Sequence, residues 1–553
     1  MNKSDLFTLA HLQDSQLHWD TRSDCTVHRK LGLVEMFFHK MSTLHQGRTD
    51  IFFKLPMSLS NPDILFNALP AWSKLHQLHP SLSLTVQEGE NLHFVLNTDN
   101  LSSDPLTTLI HSSHSLIYQH DVDVDTWMRN YLWNGPRRYL DHAHLARLFI
   151  FHNTLTNNVD LVIATAHSIS DGTSVVSLMH DFLRLLTSDL LDECKVRADL
   201  PTLENFHSFT PHIHTVGDLT PLKVTKEDIL SALPDATEVG YPPLPNYAPK
   251  RTTPLPRLRW YWAIRRVVSQ VRSDKLDRLT TLEFVGGYSP QQQQSLQPPW
   301  GALTDWMHFS LSREQTDAVV RFAKACAVKI GPLLFAATSM AIANVNHRHK
   351  QQHTGDTCLV GFPFSLRPYL QRRTATTSNV SVQLGFGGIQ LPSTPCTSDS
   401  PTFKRRFAHR AQTAQTQFVN LLTSPTLLQD AHTMALSRAA HFAQGGDGWK
   451  AVKEKGDETQ QSQRGKGTAI NASMLGVMNV KQLYQATDGV IMLDQSPSRS
   501  ALLGVRCRSN ELLLETFSLG GQLTVSLGKD GVQWGDECVR EYLDEFERIL
   551  KGF

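Results

Sequence analysis

The chain has too few cysteines, too widely scattered, for a disulfide framework. Seven occur in 553 residues (Cys25, Cys194, Cys326, Cys358, Cys396, Cys507 and Cys538) and none forms Cys-x-x-Cys. That also excludes a zinc ribbon and a thioredoxin-type redox pair. Charge of one sign is missing as well: Lys+Arg number 53 against Asp+Glu 52, so the electrostatic footprint of a nucleic-acid binder is absent and no nucleic-acid partner is expected. No apolar run approaches the roughly 18 residues that cross a bilayer. The start Met1-Asn2-Lys3-Ser4-Asp5 leads into a mixed segment with no signal-peptide core. Leu550-Lys551-Gly552-Phe553 is neither a peroxisomal address nor a prenylation box. A cytoplasmic protein with reduced thiols is expected. Gly-x-Ser-x-Gly, the P-loop, His-Glu-x-x-His and the dinucleotide glycine fingerprint are all lacking, which removes several enzyme classes, and no metal is required.

What is present is ordinary globular material, 40% hydrophobic and 19% charged, in a chain longer than one hydrophobic core sustains. Two packed subdomains with a cleft between them are expected. In the first, residues 49–55 and 92–96 read as strands around a helix over 61–78, where Ile64, Leu65, Leu69, Trp72 and Leu75 recur at helical spacing. Leu145–Phe151 and Val159–Ala166 are apolar runs about Asn153-Thr154-Leu155-Thr156-Asn157-Asn158, a hairpin signal. From about 201 to 300 composition turns proline-rich, with Tyr241-Pro242-Pro243-Leu244-Pro245 and a Gln291–Gln294 run, so a crossing segment is placed there between subdomains 1–200 and 301–553. Inside it, residues 258–268 form a helix with a basic side, for which a bridge between subdomains is the commoner reading and a membrane-surface role the rarer one. The second half shows a strand at 305–311, a capping box Ser312-Arg313-Glu314-Gln315 opening a helix, an interruption at Gly331-Pro332, a helix over 333–344, a strand at 358–362, strands at 512–517 and 522–527, and a final helix over 537–550. Residues 445–467 are glycine-rich and charged, and read as a mobile surface loop.

One segment has the makings of a catalytic site. The 159–166 run delivers His167 at its end, and His167-Ser168-Ile169-Ser170-Asp171-Gly172 then turns into a helical stripe of Val175, Leu178, Met179, Phe182, Leu185 and Leu186, with Ser170 or Asp171 as N-cap. His-x-x-x-Asp alone is weak evidence, since 26 histidines give about one chance match, and a following glycine lowers that to roughly 0.07. His214-Thr215-Val216-Gly217-Asp218 is such a chance match, without the glycine and in a proline-flanked stretch. An imidazole with a free nitrogen at a cleft edge suits removal of a proton from an attacking alcohol. Asp171 either orients that imidazole or turns away and pins the loop through an arginine, and the second role is favoured. Gly172 permits an unusual backbone conformation or close approach of a ligand. The bland alternative is a histidine that merely ends a strand and an aspartate that merely caps a helix.

This strand-to-helix string resembles the signature of the CoA-dependent acyltransferase superfamily, which includes BAHD acyltransferases, alcohol acetyltransferases, peptide-synthetase condensation domains and trichothecene O-acetyltransferases. Arg29-Lys-Leu31-Gly32-Leu-Val-Glu35-Met-Phe37-Phe38 with Gly47-Arg-Thr49-Asp50 is similar to the amino-terminal signature of the trichothecene 15-O-acetyltransferase-like branch. His79-Pro80 and Phe362-Pro363-Phe-Ser-Leu366-Arg367-Pro368-Tyr369-Leu370 resemble further family segments in the right order. The resemblance implies an α/β (α+β) fold of two similar chloramphenicol-acetyltransferase-like subdomains with mixed sheets and a tunnel between them, His167 at its middle. It implies Arg367 as partner of Asp171, and it places Asn471-Ala-Ser473-Met-Leu-Gly476 near the cleft, where Ser473 is a candidate oxyanion donor, although an ordinary strand end is the commoner reading of that segment.

Departures from the family narrow the reading. Ala166 stands where condensation domains usually carry a first histidine, and the Asp-Phe-Gly-Trp-Gly segment of BAHD enzymes is replaced by Leu384-Gly385-Phe386-Gly387-Gly388. Leu519-Gly520-Gly521-Gln522 lacks the serine of a carrier protein and reads as a turn. The function implied is O-acyl transfer, in particular acetyl transfer, from acyl-CoA as co-substrate to a small-molecule alcohol of secondary metabolism such as a terpenoid, by a monomer with no bound cofactor. Transfer to a glycolipid sugar hydroxyl, condensation with a carrier-bound donor, and a non-catalytic scaffold are the alternatives.

Overall fold

The computed structural model describes residues 17–553 except 90, 103, 190–195, 207, 216–218, 243–254, 277–279, 283–302, 350–356, 371–377, 398–399, 444–469, 488 and 497–498. The Gln291–Gln294 run, the loop expected at 445–467 and Asp218 lie outside the described residues.

Along the first half run β1 (Asp20–Ser23), β2 (Thr26–Lys30), α1 (Leu33–Leu44), β3 (Ile51–Leu59), α2 (Ala68–Leu78), β4 (Thr85–Gln87), β5 (His93–Asn97), α3 (Pro105–Ser113), β6 (Leu116–His120), β7 (Ala146–Asn153), β8 (Asn158–Thr165), α4 (Gly172–Leu186), β9 (Val196–Ala198), β10 (Ile213–Thr215) and α5 (Leu255–Leu276). The second half adds β11 (Thr304–Ser310), α6 (Arg313–Ala325), α7 (Ile330–Arg348), β12 (Thr357–Ser365), β13 (Leu384–Pro392), α8 (Phe403–Leu422), α9 (Leu427–Ala443), β14 (Ile470–Val477), β15 (Leu483–Ala486), β16 (Gly489–Leu493), β17 (Leu502–Val505), β18 (Leu512–Leu519), β19 (Gln522–Asp530) and α10 (Asp536–Lys551).

The helix expected over 61–78 is shorter than its periodicity suggests. Asn61 caps a 3-10 turn over Pro62–Asn67, and α2 begins only at Ala68. Gly331-Pro332 does not interrupt a helix. Both residues sit in the first turn of α7, where proline's missing N–H has no helical partner to lose.

Two large sheets organise the molecule. One has the order β15-β16-β3-β8-β7-β6, with β17 also pairing with β3. The other has the order β11-β19-β18-β14-β12-β13. Both are mixed: β6 runs parallel to β7, and β14 runs parallel to β12 and β18, amid antiparallel neighbours. Residues 483–505 follow most of the second sheet's strands in sequence yet join the first, each of β16 and β17 lying antiparallel to β3.

The apolar continuity of β8 has a direct cause. Val159, Leu161 and Ile163 face the core beneath α2 and α4, while Val162 and Ala164 face a second cluster containing Phe52, Trp133, Trp306 and Leu513. A strand covered on both faces shows no polar alternation. Trp306 belongs to β11 of the other sheet and donates its indole N–H to the Val505 carbonyl at 3.1 Å, so this second cluster joins the two sheets. The second sheet buries its opposite face under α7, α8 and α10.

Candidate active site

β8 ends at Thr165 because the chain must turn. Ala166 still bonds Leu145 through its N–H at 2.7 Å, and Ile169 closes a tight turn by bonding the Ala166 carbonyl at 3.1 Å. Ile169 is buried in the core of the first lobe, which leaves His167 to project from the turn. Its Nδ1 lies 2.8 Å from the Ser170 carbonyl oxygen. A carbonyl only accepts, so Nδ1 carries the proton and Nε2 keeps its lone pair. The ring lies flat on Phe38 of α1, with centroids 3.7 Å apart and planes 8° from parallel. Burial lowers the His167 pKa to about 4; the Asp171 charge and local backbone groups oppose that shift, and the Arg508 charge adds to it. The imidazole is therefore neutral throughout the neutral pH range.

Asp171 is the N-cap of α4, its Oδ1 accepting from the Ser174 N–H and hydroxyl at 3.0 Å each. Arg367, from the turn after β12, reaches it with both fork nitrogens: Nη1 to Oδ2 at 2.7 Å and Nη2 to Oδ1 at 3.2 Å. The Gln383 N–H adds a bond to Oδ2 at 3.3 Å. Burial alone would raise the Asp171 pKa, but the Arg367 charge and these bonds hold it below the usual carboxylate range. Arg367 also donates to the Ser381 carbonyl at 2.8 Å, so one guanidinium fastens the motif of the first lobe to a loop of the second.

Gly172 starts α4 with no unusual backbone angle; what comes close to it is protein. A Cβ there would meet Leu475 Cδ2 at 2.8 Å. Leu475 lies in a bulge, because the β14–β18 register slips between Met474 and Gly476 and Gly476 takes φ 74°. Such a bulge re-aims a side chain, here across the lobe boundary onto the motif.

Ser473 lies two residues earlier on β14, opposite Glu515 of β18, to whose carboxyl its hydroxyl bonds. Burial pushes Glu515 up to about 8, so that carboxyl is mainly protonated at neutral pH. Ile470, Ala472 and Met474 pack into the second lobe's own core, so Asn471 and Ser473 face the other way, toward the first lobe.

The amino-terminal segment acquires a physical role. Arg29 pairs with Glu35 through two bonds of 2.7 Å, both side chains buried. Glu35 also accepts from the Gly32 N–H, and Glu238 accepts from the Leu33 N–H at 2.8 Å, capping α1. This cap fixes the helix that presents Phe38 to His167. Nothing local in the sequence marks Phe38 for this role, because a contact so distant in the chain leaves no local trace. His79, at the end of α2, sits between Ser378 at 2.9 Å and Asp181 at 3.2 Å, another stitch between lobes.

Two surface pockets have linings that do not include His167. One is lined by Arg184, Asp189, Lys481 and Tyr484, the other by Asp50, Arg137, Tyr139 and Arg506. No cluster of potential metal ligands occurs among the described residues. No single described helix is long and apolar enough to cross a membrane; α6 and α7 pass that test only together, are bent by 101°, and α7 is buried.

No family model matches the sequence, and no curated protein matches it. Solved structures do match. A trichothecene 15-O-acetyltransferase from Fusarium sporotrichioides aligns with TM-score 0.68 at 12% identity over 98% of both chains. The first condensation domain of the calcium-dependent antibiotic synthetase aligns at 0.54 and 13% identity, covering 95% of each chain. The starter condensation domain of rhizomide synthetase, solved with C8-CoA, aligns at 0.53 and 9% identity, covering 100% of this chain and 96% of the other. These likenesses establish the fold: two lobes of mixed α/β structure, as in CoA-acyltransferases.

Proposed function

We propose that the protein is an acyl-CoA-dependent O-acyltransferase, in particular an acetyltransferase, with His167 as general base and a hydroxyl of a secondary metabolite such as a terpenoid as acceptor. The observation that carries the reading is the hydrogen bond from His167 Nδ1 to the Ser170 carbonyl. It fixes the tautomer in which Nε2 accepts a proton, while Asp171 spends its charge on Arg367. The fold shared with an acetyltransferase and with a condensation domain solved with C8-CoA supports a CoA thioester as donor.

In this reading Nε2 takes the acceptor's hydroxyl proton as that oxygen attacks the thioester carbonyl. The carbonyl π electrons move onto oxygen, and Ser473 is the candidate donor to that oxyanion. Collapse breaks the C–S bond, and the imidazolium returns the proton to the CoA sulfur. Asp171, Arg367 and Gly172 hold the turn. No metal or bound cofactor enters the sequence of steps. Subdomains 1–200 and 301–553, the second lending residues 483–505 to the first's sheet, a crossing over 201–300 and a monomeric cytoplasmic enzyme complete the proposal.

The test is thiol release from acetyl-CoA by the purified protein with a panel of terpenoid alcohols and glycolipids, comparing wild type with His167→Ala. Acceptor-dependent release that collapses in the variant is the expected result. Equal activity in both proteins, or none with any CoA donor, sinks the reading and favours a carrier-bound donor or a scaffold.

A further inference from the structure

Among the described residues, helix α5 is anchored on one side only. Trp260, Ala263 and Val267 are buried, Trp260 meets His432 of α9 with ring centroids 5.6 Å apart, and Arg266 pairs with Asp430 at 2.8 Å. The other side carries Leu258, Tyr261, Trp262, Ile264 and Val268, all between 41% and 52% exposed. At 100° per residue these five fall on one face of the helix. Arg265 lies within that face, donating to the Tyr261 hydroxyl at 3.0 Å, and exposed Arg259 flanks it.

A soluble protein's exposed helix face is normally polar, and single exposed apolar residues need no explanation. Five clustered with aromatic rings do. The charge says what covers them. In sequence, residues 255–276 carry six basic residues against Asp274 alone, in a chain whose net charge is only +1; among the described side chains of the helix Arg266 is paired with Asp430, and Arg259 and Arg265 are the exposed cations beside the apolar face. Basic residues interleaved with Trp, Tyr and Leu on a helix lying along a surface match the headgroup layer of an anionic bilayer: the guanidinium groups meet lipid phosphates and the rings settle at the headgroup–acyl boundary.

We infer that α5 is a peripheral membrane-docking helix that seats its Leu258–Val268 outer face on anionic lipid. The inference stands apart from the catalytic proposal. Where both hold, α5 packs on α9, whose Ala435 and Leu436 pack on Leu33, Val34 and Phe38 of α1, so the docked surface lies two helices from His167 and suits an acceptor or acyl chain that partitions into lipid.

The experiment is co-sedimentation of the full-length protein with vesicles of phosphatidylcholine alone or with one-third phosphatidylglycerol, at low and at physiological salt. Expected are binding to the anionic vesicles, weakening with salt, and at least tenfold weaker partitioning of Arg259→Glu/Arg265→Glu. Brominated lipid should quench tryptophan fluorescence, and that quenching should shrink in Trp262→Phe while binding persists. All substituted side chains are exposed, and circular dichroism checks that the variants fold. No binding to anionic vesicles at low salt, or binding indifferent to the charge reversals, overturns the inference. A solution dimer that Trp262→Ser dissociates, without vesicle binding, would assign the face to a second copy instead.

Discussion

Phe38 and His167 are stacked ring on ring, 3.7 Å apart and nearly parallel, although one comes from α1 and the other from the turn after β8. The phenyl ring closes one face of the imidazole, and the Ser170 carbonyl holds its Nδ1 edge. Orientation is thus fixed on two sides, and Nε2 points where neither reaches. Replacing Phe38 by Leu keeps an apolar side chain but frees the ring to tilt. If His167 is the base proposed above, then, since small misplacements of a catalytic group cost up to about a hundredfold in rate, Phe38→Leu should lower kcat roughly tenfold or more while KM for the proposed CoA donor moves little. Steady-state kinetics decide; an unchanged kcat would deny Phe38 this positioning role.

The Arg367–Asp171 pair is a stability element. Asp171 is 1% exposed, and removing its partner strands a buried carboxylate, a loss of about 3–5 kcal/mol in comparable cases. Urea denaturation of Arg367→Ala should show a loss of that order, and Arg367→Lys, which keeps charge without the fork, should fall between. Equal stability of all three proteins would mean that the lobes are fastened elsewhere.

Gly172 and Leu475 should behave as a coupled pair. A methyl at Gly172 would come within 2.8 Å of Leu475 Cδ2, the movable tip of a half-buried side chain, so Gly172→Ala should cost only about 1 kcal/mol, the low end of overpacking. Leu475→Ala alone leaves a gap. The double variant should recover part of the loss, with an interaction energy of about 0.5 kcal/mol or more, measurable as a double-mutant cycle in thermal unfolding. Strict additivity would show that the contact is soft.

Low pH should destabilise the fold. Burial depresses His167, His39, His111 and His432 to about 4, and His76 falls well below its ordinary value. Between about pH 6.5 and 4 the unfolded chain binds protons at these sites that the folded chain refuses, so the histidines' contribution is full above pH 6.5 and declines as pH falls, while the buried carboxyls of Glu515, Glu238 and Asp430, raised to about 8, 7 and 6, act in the opposite sense and offset part of it. Each such histidine contributes a slope of about 1.4 kcal/mol per pH unit in that window. Melting temperature against pH is the measurement, and His111→Asn should flatten the curve. If the reading of His167 holds, kcat/KM in the free enzyme should stay level down to pH values where unfolding, not imidazole protonation, ends activity.

How far the sequence foretold the molecule depends on how local each cause is. The β7–β8 hairpin, the Asp171 cap and the Ser312–Gln315 capping box follow from neighbours within a few residues and were legible. So was the Gly520–Gly521 turn, whose φ values of 59° and 85° are those that glycine adopts easily. Within the site, His167 and Asp171 stood out because an apolar strand and an amphipathic helix flank them. The Phe38 stack, the Leu475 contact and the Glu238 cap on α1 were hidden, since each joins residues more than a hundred positions apart in the chain. The 3-10 turn before α2 escaped because its apolar residues also satisfy helical spacing.

The return of β15–β17 to β3 has a consequence for how the protein comes into being. Arg499 pairs with Asp160 of β8 at 2.9 Å and with Asp494 at 2.8 Å, bolting this late segment onto a sheet whose other strands were synthesised long before. The edge of β3 that β16 and β17 occupy must wait, open, while the ribosome delivers most of the remaining chain. During that interval β3 is an unpaired, largely apolar edge of the kind that recruits stray strands. The first half is therefore not a self-sufficient folding unit. A chain stopped before residue 480 should aggregate rather than yield a working lobe, and the slow step of folding should be this last, most distant pairing.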